Sequence, residues 1–262
     1  MAVAPSGGPL PRMSPFGSGG HRRLGRPPGG NGASSFHLWW RWEPGLDDRD
    51  PLVEAEAVLE VVDAPTTADL HFWALQVSFA DRGRRLGAAH TGLQWNPGAP
   101  GGAVNWGGYD ERGAELAGSG SSLPPADSAN TRRWPWHPGR PYRLWVHRVD
   151  GGWRSEITDL ADGRSVEVRD LWVDAPALAD AVVWAEVFAP CEARSAVRWS
   201  GLAARTAAGR LVRPASLAVT YQAVGAGGCT NTDVVVDPTG VRQVTGTART
   251  TLDGAVVVPG SG

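Results

Sequence analysis

Period-two alternation is the feature of this sequence that most limits what it can fold into. From Phe36 onward, His37-Leu38-Trp39-Trp40-Arg41-Trp42 sets Leu38, Trp40 and Trp42 against His37, Trp39 and Arg41, the pattern of a strand with one face buried. Similar runs recur at 53–62, 70–79, 90–95, 104–109, 142–149, 153–159, 165–171, 182–188, 196–202, 217–224, 234–237, 241–247 and 255–258, punctuated by Gly, Pro, Asp and Asn. Short strands at this spacing predict an all-β, antiparallel β-sandwich of about 12 to 14 strands. Helical periodicity is scarce, and 178–183 is the one stretch expected to hold a turn of helix.

The chain has 262 residues, an ordinary size for one sandwich domain, and residues 36–262 are assigned to it. Residues 1–35 are rich in Gly, Pro, Ser and Arg with almost no apolar pattern, so a disordered tail is expected there. Asp150-Gly151-Gly152 and Asp162-Gly163 are tight-turn signals that predict a three-strand meander over 142–171. His90-Thr91-Gly92-Leu93-Gln94-Trp95 and Asn105-Trp106-Gly107-Gly108-Tyr109-Asp110 flank a Gly/Pro loop and read as a hairpin.

Every one of the 25 basic residues is Arg and the net charge is -2, so no global positive field exists to hold a phosphate backbone and nucleic acid is not an expected partner. No stretch reaches the roughly 18–20 apolar residues of a membrane span. The first residues lack a secretory h-region, which makes a cytoplasmic location the default, with secretion open if translation starts elsewhere. Cys191 and Cys229 fit no zinc spacing. A mutual disulfide and two buried thiols both stay open. Asp47-Asp48-Arg49-Asp50 supplies oxygen ligands without a calcium-loop pattern. No cofactor is called for, and a structural calcium there stays open.

The motifs Gly92-Leu93-Gln94, Asn105-Trp106-Gly107-Gly108-Tyr109-Asp110, Trp136, Pro138-Gly139-Arg140 and Tyr142-Arg143-Leu144 resemble those of an uncharacterised bacterial, actinobacterial-type family of domains of unknown function. That family is similar to the concanavalin A-like lectins and glucanases, so the resemblance implies a jelly-roll sandwich over about 36–200. It implies no activity, and residues 201–262 have no counterpart in the pattern. Glucanases of that fold carry paired acids as Glu-x-Asp-x-Glu, which this chain lacks.

Thirteen Trp against 5 Phe and 3 Tyr suit either a core or a sugar-stacking platform. Period-two reading places Arg143, Trp145 and His147 on one face, Trp184 with Glu186 on one face, and Arg154 with Glu156. If these strands are neighbours, they make either a concave, polar-aromatic sheet fit for a glycan or a solvated outer face laced with salt bridges. Gln94, Asn105, Trp106 and Tyr109 form a second candidate ligand contact, the alternative being that Trp106 is a core residue and Gly107-Gly108 a bulge. Glu186 with Glu156 or His147 is the candidate acid/base pair of a glycan-cleaving enzyme. The segment 131–140 is either a lid over an anionic ligand or a proline-stiffened approach to the strand at Tyr142. Three classes remain: a carbohydrate-binding, lectin-like domain with a polysaccharide as partner; a glycoside hydrolase or lyase; and a structural or protein-interaction domain. The oligomeric state is not legible.

Overall fold

The computed structural model describes residues 33–43, 49–126 and 128–260. The expectations about the tail at 1–35 and about Asp47 and Asp48 fall largely outside these residues. Two antiparallel layers face each other. The front sheet runs β6 (Thr131–Arg133), β5 (Ala103–Asp110), β4 (Arg84–Trp95), β3 (His71–Asp81), β10 (Ala177–Val187), β1 (Ser34–Arg41), β13 (Ser216–Tyr221) and β16 (Val256–Val257). The back sheet runs β14 (Thr232–Asp237), β15 (Gly240–Thr245), β11 (Ser195–Thr206), β2 (Leu52–Asp63), β7 (Pro141–Val149), β8 (Gly152–Asp159) and β9 (Ser165–Leu171), with β12 (Leu211–Val212) also on β11. A single pairing, Leu178 with Leu52, joins the layers at one corner.

The all-β sandwich expected from the alternation is the observed fold. The two strands beyond the expected runs are short ones, β6 and β12. Among the described residues there is no α-helix, only a 3₁₀ turn at Val224–Ala226. The expected helical turn at 178–183 is strand instead. Partners on both sides of β10, from β1 and β3, complete its backbone hydrogen bonds, and Val182 and Val183 suit an extended backbone. The meander is as expected: Tyr142 pairs with Asp159 and Trp153 with Leu171. Its turns rest on Gly151 and Gly163, both at left-handed φ, which a Cβ would oppose. The hairpin is β4–β5, with Thr91 opposite Trp106.

Inward residues of both sheets interdigitate. Phe36, Leu38, Leu75 and Phe79 from the front meet Leu59, Tyr142, Leu144 and Trp199 from the back. Seven Trp, at 40, 73, 106, 134, 136, 153 and 199, lie in this core, so the unusual Trp content is mostly packing. Several core indoles find acceptors: Trp106 Nε1 donates to the Trp153 carbonyl, Trp153 Nε1 to the Ala175 carbonyl and Trp199 Nε1 to Gln243 Oε1. Trp106 is fully buried, which corrects its reading as a ligand contact. The segment 131–140 is likewise packed rather than a lid. Trp134 and Trp136 are buried, Trp136 Nε1 donates to the Gln94 carbonyl, and the His137 N–H donates to the Tyr142 hydroxyl.

Cys191 and Cys229 are bonded to each other. The bridge ties the loop after β10 to the loop before β14. Cys229 N–H also donates to Ser34 Oγ, so both strands that flank each other in the middle of the front sheet are held at one end.

Candidate functional site

The candidate residues divide between the two outer faces. Arg143, Trp145, His147, Arg154 and Glu156 lie on the back sheet, while Trp184 and Glu186 lie on the front sheet between β1 and β3. The single concave sheet expected from sequence is therefore corrected. Glu186 is separated by the whole core from Glu156 and His147, so the proposed acid/base pair does not form.

The back face is a lattice of paired charges, in which Arg198 Nε is a buried atom left without a partner. Arg143 Nε donates to Glu56 Oε2 at 2.6 Å, Arg198 Nη1 to Glu60 Oε2 at 2.6 Å, and Arg154 Nε to Asp170 Oδ1 at 2.7 Å. His147 Nε2 and Glu156 Oε1 are 2.9 Å apart. Trp145 Nε1 donates to Glu54 Oε2. Its ring stacks on His147 with centroids 3.9 Å apart, and the Arg143 guanidinium lies 4.7 Å from the ring centre. An indole engaged this way offers little free surface for a sugar ring.

The front face differs. Strand pairing sets its outward side chains in rows. One row reads Gln222, Ser35, Glu186, Phe72, Gln94. The next reads Thr220, His37, Trp184, Ala74, Gly92, Asn105, and the third Ala218, Trp39, Val182, Gln76, His90, Gly107. Phe72, Ala74, Val182 and Trp184 form a buried apolar cluster of their own, separate from the inter-sheet core, with Trp39 packed at its border. Trp184 meets Phe72 edge-on at 4.9 Å and His90 at 5.5 Å, and His37 lies 6.4 Å from it. Ala74 and Gly92 are the smallest side chains of the middle row. Gly92 is obligatory, because a Cβ there would run into the Trp73 carbonyl. These two positions leave a low floor between Trp184 and Asn105, strands about 14 Å apart at the usual inter-strand spacing.

Polar groups around this floor lack partners. His37, Gln76, His90 and Glu186 make no hydrogen bond with any described residue, and the buried Trp184 Nε1 and Asn105 Oδ1 are unpaired. Trp40 and Trp42 also keep unpaired Nε1 atoms, at the other end of β1 and on the core side. Burial pushes His37 and His90 down to about 4, so both are neutral at pH 7. Burial likewise raises Glu186 above the usual carboxylate range. The edges of the face, in contrast, are tied off. Ser35 donates to Gln222 Oε1, Trp39 Nε1 to Thr220 Oγ1, Asn96 Nδ2 to Gln94 Oε1, and Arg85 pairs with Asp180 at 2.8 Å.

Of the sequence candidates, the structure brings Trp184, Glu186, Gln94, Asn105 and Tyr109 to one face, Tyr109 at its exposed margin. Sequence reasoning missed His37, Trp39, Phe72, Gln76 and His90. The signal for two of these was present: His37 and Trp39 alternate against the buried Leu38 and Trp40. Among the described residues no cluster of His, Cys, Asp or Glu is arranged to hold a metal.

No family model matches the chain, and no curated protein matches it. Solved structures do. Scytalido-glutamic peptidase with a peptide-based transition-state analog aligns at 10% identity and a TM-score of 0.47. SCP-B, a member of the Eqolisin family of peptidases, in a complex with the tripeptide Ala-Ile-His, aligns at 11% identity and 0.46. Both alignments cover 82% of this chain and 98% of the other. A likeness this distant says nothing of what this chain does.

Proposed function

We propose that the front face binds an uncharged, hydroxyl-rich chain, a neutral polysaccharide or glycan, over the Trp184–Ala74–Gly92–Asn105 floor. One observation carries the reading. Trp184 Nε1 and Asn105 Oδ1 are buried without a partner at an apolar cluster, and the half-buried His37, Gln76, His90 and Glu186 around it bond to no described residue, whereas Arg143, Trp145 and His147 of the back face each hold a carboxylate. A desolvated polar group without a partner costs about 1–3 kcal/mol, and native proteins keep few of them. A ligand that supplied donors and acceptors would recover that cost.

The chemistry of the groups favours a neutral ligand. Two neutral imidazoles, an amide and a carboxyl whose ionisation is disfavoured all both donate and accept, as hydroxyls do. Apolar ring faces would rest against Trp184, Phe72 and Trp39. The site is read as binding rather than cleaving. Two-carboxylate glycoside hydrolysis needs a second acid near the first, and the other outward carboxyl of β10, Asp180, is held by Arg85 at 2.8 Å.

Titration of intrinsic Trp fluorescence tests this with soluble cellulose, mixed-linkage glucan, mannan, polygalacturonate and an unstructured neutral peptide. Saturable binding of a neutral glycan, lost in Trp184→Phe and in His90→Ala and retained in Trp145→Ala, is the expected result. Binding that survives both front-face variants but not Trp145→Ala would overturn it. Peptide binding without glycan binding would keep the site and replace the ligand class.

A further inference from the structure

Beyond the front face, one end of the sandwich opens into a cleft of about 780 Å³. Its walls come from the loop after β2, the loop after β4 and the segment leading to β7, and include Thr67, Trp95, Asn96, Pro97, Trp136 and Pro138. No Asp, Glu, Lys or Arg lines it, and His137 is its one titratable group. Trp95 Nε1 donates to the Thr67 carbonyl, and Gly98 N–H to Asn96 Oδ1, so the walls are fixed by their own hydrogen bonds. Gly102 allows the close approach: a Cβ there would lie 2.5 Å from the Trp136 ring. Thr67 Oγ1 is buried and has no partner.

The cleft is continuous with the face already described. Asn96 lines it and donates from Nδ2 to Gln94 Oε1 at 3.1 Å, and Gln94 stands in the same row as Phe72 and Glu186. His90 in β4 and Asn96 just past its end are six positions apart, about 20 Å at the rise of an extended chain. Both regions are aromatic, and each keeps a buried neutral polar atom without a partner, Trp184 Nε1 in one and Thr67 Oγ1 in the other.

Resting on the glycan reading of the front face, we propose that the Trp95–Trp136 cleft is a second subsite of the same groove. It takes an uncharged ring from the end of a chain long enough to span about 20 Å, so the protein selects neutral oligomers by length. Gln94 and Asn96 form the saddle between the two subsites. Recognition by a preformed, proline-stiffened wall costs little ordering on binding.

The experiment measures affinity for cellulose, mixed-linkage glucan and mannan oligomers from dimer to octamer, by calorimetry on the full chain. Affinity should rise by about tenfold or more once the oligomer reaches the second subsite, and then level off, a step of ordinary size for one added contact. Ala68→Trp fills the cleft from an exposed position; it should abolish the rise and leave short oligomers bound as before. Asn96→Ala should lower only the long-oligomer affinity. An affinity independent of length, or a rise that persists in a folded Ala68→Trp protein, overturns the second subsite while leaving the front-face reading in place. Absence of binding to every oligomer overturns both.

Discussion

On the back sheet, Trp145 sits beneath Arg143 and against His147, and its N–H reaches Glu54. On the front sheet, Trp184 sits among His37, Phe72 and His90, and its N–H reaches nothing. Both are outward-facing tryptophans in central strands with a histidine close by. What separates them is the company of the next strand. β2 lays Glu54, Glu56 and Glu60 beside β7 and β11, where Arg143, Arg198 and Arg205 await them. β3 lays Phe72, Ala74 and Gln76 beside β10, so no described residue there bonds the histidines or Glu186. Paired charges in contact with water contribute little each, about 0–1 kcal/mol. Unpaired groups withdrawn from water are costly, and that asymmetry is the ground on which ligand contact is proposed for the front face.

The largest expected difference between the faces is their response to acid. His37 and His90 have folded values near 4, below the roughly 6.5 of the unfolded chain. Stability from keeping them neutral is fully present above pH 6.5 and is lost as pH falls towards 4. At about 1.4 kcal/mol per unit, the loss is up to about 3 kcal/mol per histidine. Chemical denaturation between pH 7 and 4 should show this slope, and His37→Gln with His90→Gln should flatten it. An unchanged slope would mean that these rings meet water, and the comparison of faces would fail.

Next in size is the disulfide, which anchors the end of the front face beside Glu186. Replacing Cys191 and Cys229 by Ser should cost about 2–4 kcal/mol, for a loop closed over 38 residues. Glycan affinity should fall with it, whereas thiol counting on the unreduced wild-type protein should find none. A bond of this kind persists in oxidising surroundings.

Glu186→Gln should act in the opposite sense and more weakly. A carboxyl raised by burial weakens the fold as pH climbs from the unfolded value of about 4.3 through its folded value. The amide removes that penalty, so the variant should gain stability at pH 7 and none at pH 4. Equal stability at both values would show that Glu186 is solvated. Smallest of all, Glu56→Gln on the back face should cost less than about 1 kcal/mol and leave glycan titrations unmoved. An effect on binding there would move the site to the back sheet.

Much of this was legible in the residues. Alternation in β1 put Leu38 and Trp40 inside and His37 and Trp39 outside, as observed. Asp150-Gly151 and Asp162-Gly163 marked the meander because positive φ at a two-strand turn needs glycine. Trp106 defeated the same reasoning. Beside Asn105 and Tyr109 it looks like a ligand contact, yet its parity along β5 sends it into the core. Composition left core and sugar platform open for the thirteen tryptophans, and seven of them are core residues.

What the sequence determined by itself was the face on which each side chain of a strand lies, because pleating fixes that locally at a period of two. Only the tertiary structure decided which strands are neighbours. β10 pairs with β1 and β3, and β7 with β2, across separations of up to about 150 residues. Loop-closure cost grows only logarithmically with such distances, so nearness along the chain says little about which strands pair. Trp145 and Trp184 therefore read alike in one dimension and fall on opposite sides of the protein in three.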